Sequence, residues 1–315
     1  IIQDDADITY EHWLPSLNVR FDFTDTFLVR GAISKGISRP DLAAYATGGV
    51  FYDNTNTLRD AGTLETGPLF AVNTGNRLLE PVEAWNYDVS AEWYFADVGQ
   101  LTGSLFYKDF EGLISNGATL RTFDGDETPA TEVEVRGPSN LEDASMWGYE
   151  LAYQQVFDFL PEPFSGLGAQ VTYTYVDASD LSTAEDQVAR QPFASDLGLR
   201  GISEDTVNLV GFYETENWSA RLAYNWRSEY LITPRDDIFP YSPIYHEDTG
   251  QLDGSLFYTF TNAWVFENLQ VGLQVVNILD EVIQTSQVVD YAGTRYPRSA
   301  FRNDRRYTLA ARFKF

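Results

Sequence analysis

Six ring-bearing side chains lie in or beside the long stretches that separate the regularly patterned segments of this sequence. They are Phe51, Tyr52, Trp147, Tyr241, Tyr245 and His246. The faces of such rings stack on sugar rings or on aromatic chelators, and their amphipathic character suits shallow binding surfaces. We therefore take these residues as candidate ligand-binding residues. The alternative, that each ring packs one loop against another, fits every one of them at least as well.

An acidic stretch around Asp124, Asp126 and Glu127 is a second candidate, because closely spaced carboxylates are ligands that Ca²⁺ prefers. The stretch lacks the complete spacing of an EF-hand loop, since Pro129 stands where that pattern would continue. A solvated acidic loop is the better interpretation. The sequence therefore predicts no metal site, with Ca²⁺ binding by this loop as the alternative.

This chain has few of the residue types on which enzymatic catalysis commonly depends. It contains no Cys and 2 His among 315 residues, which excludes thiol catalysis and Cys-ligated zinc and leaves scarcely any histidine for a Ser-His-Asp triad. No Gly-x-Ser-x-Gly turn is present, so we predict no catalytic residue, no cofactor and no enzymatic activity. The formal net charge of −26, from 47 acidic and 21 basic residues, would repel phosphate backbones and argues against a nucleic-acid partner.

Apolar and polar side chains alternate along most of the chain, which predicts β-strands. Strands are therefore the elements that position the candidate ligand-binding residues. In the clearest segment, Trp85, Val89 and Phe95 share one face while Asn86 and Asp88 share the other. The same pattern predicts eleven strands, at 17–23, 27–34, 85–95, 101–108, 149–154, 170–175, 206–214, 218–227, 252–260, 269–275 and 306–315. Segment 206–214 alternates poorly, and it is assigned as a strand mainly because its neighbours require one.

Alternation alone does not distinguish a membrane barrel from a soluble sandwich, because the strands of a sandwich also have one apolar and one polar face. The lengths of the connections between strands do distinguish them. Short joins (24–26, 96–100, 158–166, 215–217 and 262–268) alternate without exception with long ones (35–83, 115–144, 178–204, 231–250 and 279–304). All long loops then lie at one end of an up-and-down meander, as in the β-barrels of bacterial outer membranes. The predicted fold class is all-β, a transmembrane up-and-down antiparallel β-barrel.

The apolar faces of such a barrel point to lipid. The residues expected to face lipid include Trp85, Tyr87, Val89, Trp93, Leu222, Tyr224, Leu273 and Phe313. An odd strand count, with the two chain ends at opposite rims, indicates a piece of a larger barrel cut at its N-terminal side. The start IIQDDADITYEHW has neither the basic nor the apolar region of a signal peptide, so we expect a chain that is mature or cut from something longer.

Several segments resemble, in order and spacing, the C-terminal half of TonB-dependent outer-membrane receptors. They are LPSLNVRFDFTDTFLVRGAISKGISRPDLAAY, GNRLLEPVEAWNYDVSAEWYF, LTGSLFYKDFEGLI, MWGYELAYQQVFDFLPEPFSGLGAQVTYTYVDA, GLQVVNILDE and the closing RRYTLAARFKF. The resemblance is greatest to the proteobacterial branch that is often associated with oligosaccharide uptake. It covers nearly every strand from 13 to 315, whereas loops 41–75 and 231–248 take no part in it.

This resemblance implies that residues 1–315 supply about eleven strands, which form half of a barrel of about 22 strands closed by an N-terminal plug. The plug, the first barrel strands and the TonB-binding segment are then expected outside this chain. The implied function is uptake of a scarce nutrient, foremost an oligosaccharide, across the outer membrane, with outer-membrane lipid and, through the plug, the TonB complex as partners. The alternatives are a siderophore, haem or cobalamin receptor of the same family, or a small outer-membrane barrel enzyme or porin.

Overall fold

The computed structural model describes residues 9–53, 70–125, 128–178, 181–183, 199–233, 242–263, 266–290 and 292–314. Apart from two short 3₁₀ segments, Leu42–Tyr45 and Phe164–Gly166, the regular structure of these residues is entirely β. No helix in this part of the chain is long and apolar enough to cross a membrane.

Eighteen strands, numbered in chain order, make up the described fold. They are β1 (Ser16–Asp22), β2 (Phe27–Ser38), β3 (Tyr52–Asp53), β4 (Phe70–Asn73), β5 (Val82–Ala96), β6 (Gly99–Gly125), β7 (Thr128–Val156), β8 (Leu167–Asp177), β9 (Leu181–Thr183), β10 (Asp205–Glu214), β11 (Trp218–Arg227), β12 (Tyr230–Thr233), β13 (Ile244–His246), β14 (Thr249–Ala263), β15 (Phe266–Val276), β16 (Val282–Val288), β17 (Arg295–Arg302) and β18 (Arg306–Lys314). Eleven of them form one antiparallel main sheet in the order β1-β2-β5-β6-β7-β8-β10-β11-β14-β15-β18. Each strand of the main sheet pairs with the main-sheet strand that follows it in the sequence. This order confirms the predicted eleven-stranded meander.

One face of the main sheet carries the apolar side chains of its strands. The register places Val19, Gly31, Val89, Leu105 and Tyr149 opposite one another across the first five strands of this sheet. Among the residues predicted to face lipid, Tyr87, Val89, Trp93, Leu222, Leu273 and Phe313 are exposed, while Trp85 and Tyr224 are half-buried. These apolar side chains do not meet in a dry interior, so the predicted outer face is confirmed and a soluble sandwich is excluded.

On the opposite, polar face, three phenylalanine rings each lie over a glycine of a neighbouring strand. The pairs are Phe106 with Gly148, Phe212 with Gly168 and Phe257 with Gly272. A Cβ atom on any of these glycines would lie between 2.1 and 2.5 Å from the ring, so the ring occupies the space of the missing side chain. This packing explains why segment 206–214 alternates poorly, because Phe212 lies on the polar face and covers Gly168.

The long joins all lie at one end of the main sheet, here called the loop rim, and the short joins lie at the other, the turn rim. The turn-rim joins that the structure describes span 23–26, 97–98, 157–166 and 215–217. One predicted loop is wrong, because β6 continues through 115–125 and β7 runs through 128–144, paired as a bulged hairpin up to Gly125 and Thr128. The stretches ATLRTF and TEVEV alternate and are rich in β-branched residues, which favours strands here.

The joins after β11 and β15 combine into a second antiparallel sheet, here called the loop sheet, in the order β12-β13-β16-β17. Its buried apolar residues are Leu231, Ile244 and Val288. The main sheet ends at β1 on one side and β18 on the other, and each of these strands has a single neighbour within the described residues. The main sheet is therefore an open, partial barrel wall with two edges.

Candidate functional site

Five of the six candidate ligand-binding residues lie in the part of the chain that the structure describes, and Tyr241 lies outside it. The structure does not gather the five into one site. Phe51 and Tyr52 belong to one cluster at the loop rim, Tyr245 and His246 belong to the loop sheet, and Trp147 stands apart from both on β7.

The first cluster, here called the ribbon cluster, consists of Phe51, Tyr52, Asn73, Phe123 and Arg136. The Phe51 and Phe123 ring centroids are 5.2 Å apart, and the Tyr52 hydroxyl donates to Asn73 Oδ1 at 3.0 Å. Arg136 donates from Nε to Glu134 Oε1 at 2.9 Å, so its charge is matched beside the ring of Tyr52.

Strand pairing and a small apolar core hold the ribbon cluster in place. Strand β3 pairs antiparallel with β4, and β4 pairs parallel with residues 133–136 of β7. Ala71, Val72 and Val133 are buried where these strands meet, at 0%, 6% and 2% exposure. Burial of these side chains pins an otherwise irregular loop against the long hairpin, and Phe51 and Tyr52 remain exposed on it.

Tyr245 and His246 are neighbours on β13, so their side chains point to opposite faces of the loop sheet. On one face the Arg295 guanidinium lies 3.8 Å from the Tyr245 ring centroid and is paired with Glu229 at 2.6 Å. Burial raises the pKa of the Tyr245 hydroxyl above its ordinary value, although the Arg295 charge acts in the opposite direction. Tyr245 is therefore a neutral hydroxyl beside a neutralised arginine.

On the other face, His246 stacks on Tyr230 with ring centroids 4.8 Å apart and an interplanar angle of 16°. The Arg227 guanidinium covers the Tyr230 ring at 4.1 Å from the centroid, and Arg227 Nε donates to Ser203 Oγ at 2.9 Å. His246 Nδ1 lies 2.7 Å from the carbonyl oxygen of Glu247. A carbonyl only accepts hydrogen bonds, so Nδ1 carries a proton and donates it to this contact.

The segment NILDE, which contributed to the family resemblance, fastens the loop sheet to the main sheet. Asn277 is 2% exposed and has a φ of 57°, a left-handed conformation that asparagine adopts more readily than most residues. Its backbone N donates to Asp253 Oδ1 at 2.8 Å, and its Oδ1 accepts from the Glu281 backbone N at 2.8 Å. Its Nδ2 donates to the Asn303 carbonyl at 2.5 Å. One buried asparagine thus joins β14, the start of β16 and the chain leading into β18.

Trp147 lies on the apolar face of the main sheet, in the row that also contains Tyr107 and Asp177. Its ring centroid is 5.5 Å from that of Tyr175, and its Nε1 donates to Asp177 Oδ2 at 3.3 Å. A ring on the apolar face with its polar atom bonded near the rim matches the position of interfacial aromatic residues in outer-membrane barrels. Position 147 continues the alternation of Tyr149, Leu151 and Tyr153. The sequence therefore already indicates that Trp147 shares their apolar face.

Metal chemistry has no support in the described residues, which contain no group of three or more His, Asp or Glu side chains placed to hold an ion. Of the acidic stretch proposed as a Ca²⁺ alternative, Asp126 and Glu127 lie outside the described residues. What the loop rim does offer is aromatic rings, hydroxyls and arginines, with Arg136 and Arg295 each paired to a carboxylate. Such a surface suits a ligand that is rich in hydroxyl groups and carries no large charge.

Several residues of the loop sheet were missed by sequence reasoning, because they lie outside the predicted strands. They are Tyr230, which stacks with His246, and Thr285, Tyr296, Ser299 and Phe301 on the neighbouring strands. The alternation of VIQTSQV and the β-branched residues in it were the available signal for β16.

Comparison with known proteins agrees with this architecture. A family model described as "TonB dependent receptor-like, beta-barrel" matches residues 2–278. Among solved structures, a variant of the ferric enterobactin receptor PfeA from Pseudomonas aeruginosa matches with a TM-score of 0.62 at 16% identity, covering 95% of this chain and 40% of that one. The siderophore receptor PirA from Acinetobacter baumannii matches with a TM-score of 0.58 at 15% identity, covering 85% of this chain and 37% of that one.

The FrpB iron transporter from Neisseria meningitidis matches with a TM-score of 0.51 at 14% identity, covering 86% of this chain and 35% of that one. At such identities the likeness shows a shared fold, and the chain spans less than half the length of each of these structures. No match is found among curated proteins. The match of a family model to most of the chain, together with the eleven-stranded meander, shows that the chain belongs to the TonB-dependent receptor β-barrel family.

Proposed function

We propose that this chain is the C-terminal part of an outer-membrane receptor that takes up a scarce nutrient with energy from the TonB complex, and that the nutrient is an oligosaccharide. Membership of the family supports the first half of the proposal, because TonB-dependent receptors are transporters. The observation that carries the second half is the loop rim, where aromatic and hydroxyl groups lie beside Arg136 and Arg295, whose charges are each paired with a carboxylate.

The open edges of the main sheet support a larger assembly. Strands β1 and β18 each leave a row of backbone groups without a neighbouring strand in the described part of the chain. In hydrocarbon each unsatisfied group costs several kcal/mol, so these edges require further strands as partners. A closed barrel of about 22 strands has a lumen wide enough to need a plug. We assign the plug and the first strands to sequence outside these 315 residues.

Charge supports a neutral ligand. The chain carries a formal net charge of −26, so its field repels an anionic chelate approaching the rim. Arg136 in the ribbon cluster and Arg295 beside Tyr245 are each paired with a carboxylate, so these two arginines bring no uncompensated positive charge to offset that repulsion. A hydroxyl-rich sugar needs only ring faces and hydrogen-bonding groups, and both are present.

A ferric siderophore is the second candidate. The solved structures that share this fold include siderophore receptors, one of them in complex with enterobactin. The placement of Arg295 over the Tyr245 ring, at 3.8 Å, is also compatible with an aromatic chelator.

Binding to the intact receptor that contains this chain, purified in detergent, separates the two candidates. Isothermal titration would compare a panel of neutral oligosaccharides (maltoheptaose, cellohexaose and xylohexaose) with ferric enterobactin, at two salt concentrations. We expect at least one sugar to bind with an affinity that changes little with salt, since no net charge is neutralised. Binding of ferric enterobactin alone would replace the oligosaccharide with a siderophore. Failure of every sugar in the panel would reject the oligosaccharide.

A further inference from the structure

The loop sheet brings one row of side chains together across all four of its strands. Tyr230 pairs with His246, His246 with Thr285, and Thr285 with Ser299. Residues that pair directly across neighbouring strands project from the same face of a sheet. With strands about 4.8 Å apart, the row is about 14 Å long from Tyr230 to Ser299.

The row presents hydrogen-bonding groups along its whole length. At one end, Arg227, Tyr230 and His246 stack face to face, so the edges of the rings, with the Tyr230 hydroxyl and His246 Nε2, remain for a ligand. At the other end, the Thr285 and Ser299 hydroxyls lie 2.6 Å apart. A hydroxyl both donates and accepts, and an imidazole nitrogen also forms hydrogen bonds, so the row matches a ligand with many hydroxyl groups.

Two exposed aromatic rings flank the hydroxyl end of the row on the same face. Phe301 follows Ser299 by two positions, and Tyr296 pairs with Gln287, which follows Thr285 by two positions. Their exposed fractions are 62% and 60%. Ring faces left open to water beside a polar row provide the apolar surface on which a sugar ring stacks.

The reverse face of the loop sheet is packed, so the row is held rigidly. Leu231, Ser286 and Val288 belong to that face and are exposed by 4%, 3% and 7%. The Ser242 hydroxyl donates to the Val288 carbonyl, and the Val288 backbone N donates to the Pro243 carbonyl at 3.1 Å. A site presented on a packed sheet loses little conformational entropy when it binds.

The row also begins at the wall of the transport path. Arg227 occupies the polar face of β11, because it lies in alternation opposite to Leu222, Tyr224 and Trp226. Its guanidinium covers Tyr230, so the loop-sheet row continues directly from the polar face of the barrel wall. A ligand held on the row is therefore beside the lumen that it must enter.

We infer that the row Tyr230–His246–Thr285–Ser299, with Tyr296 and Phe301 beside it, is a binding platform for a neutral oligosaccharide. The inference rests on the proposed function and names its binding subsite. The two rings stack on sugar rings, and the row forms hydrogen bonds with their hydroxyls. Because the row spans about 14 Å, more than one sugar unit contacts it, so an oligomer binds more tightly than its monomer.

The test uses the intact receptor in detergent and the sugar of the panel that binds it best. Tyr296→Ala and Phe301→Ala remove stacking surface from residues that are mostly exposed, so the fold tolerates both. Each should weaken binding by about two- to tenfold. Thr285→Val with Ser299→Ala keeps the shape of the row but removes its hydroxyls, and the lost hydrogen bonds should weaken binding by a similar factor or more. Phe159→Ala, at the turn rim and 68% exposed in the wild type, is the matched control and should leave binding unchanged.

The outcomes distinguish this inference from the proposed function. If the wild-type receptor binds none of the sugars, the proposed function fails and the platform fails with it. If the wild type binds a sugar and the loop-sheet variants bind it equally well, the platform is wrong while the proposed function stands. Equal affinity for the monosaccharide and the oligosaccharide would also overturn the platform.

Discussion

Replacing Leu222 by arginine tests whether the apolar face of the main sheet lies in lipid. Leu222 lies midway between Trp218 and Trp226 on the same face of β11, about 13 Å along the strand from each, which places it near the centre of the apolar belt. Its partners on both sides are glycines, Gly211 and Gly254, so no neighbouring side chain can accept or shield a charge. An arginine at such a depth costs about 2 to 4 kcal/mol of folding free energy.

The adjacent residue provides the control. Ala223 is on the polar face of the same strand, where its partners are Val210 and Asp253. Arginine at this position faces water and lies opposite a carboxylate, so Ala223→Arg should change the free energy of folding by less than about 1 kcal/mol. Ser255 would be a poor control, because its cross-strand partner is Arg221 and two like charges would meet.

The assay is equilibrium refolding of the intact receptor into phospholipid vesicles along a urea gradient, followed by tryptophan fluorescence and by the gel mobility of the unheated protein. We expect Leu222→Arg to fold at distinctly lower urea than the wild type, and Ala223→Arg to fold close to it. Equal losses in the two variants would show that β11 does not separate lipid from lumen. A larger loss for Ala223→Arg would reverse the faces assigned to the whole sheet, since the register links every strand to its neighbour.

Two further predictions concern packing on the polar face and the turn of the loop sheet. Gly272→Ala should destabilise the fold by about 1 to 3 kcal/mol in the same assay, because the new Cβ would lie 2.1 Å from the Phe257 ring. Gly211→Ala, which meets nothing within 4 Å, should not do so, and equal effects would contradict the role assigned to the ring. Hydrogen bonds from the Thr294 backbone lower the pKa of Asp290 below its ordinary value of 3.8. That contribution to stability is present above pH 3.8 and is lost as pH falls through the lower folded-state pKa. The protection of the amides in the β16–β17 turn, measured against the intrinsic exchange rate at each pH, should therefore fall on acidification, and Asp290→Asn should abolish this dependence.

The strands of the main sheet and their faces could be predicted from sequence because alternation is a local property. Trp218, Leu222 and Trp226 show it within ten residues, and the short turn at 215–217 fixes the antiparallel neighbour. A slip of one residue would move every apolar side chain to the lumen, so the pattern also specifies the register. Trp147 was assigned to the loops although it continues the phase of β7, so the sequence already contained its position on the outer face.

Tertiary structure decided the elements whose pattern depends on a distant partner. Segment 206–214 breaks its alternation at Phe212, and only the approach of Gly168 explains why an aromatic ring occupies the polar face there. The hairpin through 115–144 became two paired strands because each supplies the hydrogen-bonding partner of the other, as in the pair Thr119 and Val135. Neither partner can be identified from either stretch alone.

The loop sheet shows the same limit at the candidate site. Strands β12 and β13 have four and three residues, too few for a periodic pattern, and His246 meets Thr285 only because a second long join folds back across the first. Closing such a loop costs conformational entropy, and the structure repays it by burying Leu231, Ile244 and Val288. The sequence determined which rings were available at the loop rim, because ring types and strand alternation are local. Which of these rings share a face was decided by long-range contacts. These contacts stabilise the loop sheet only after the joins that follow β11 and β15 have come together.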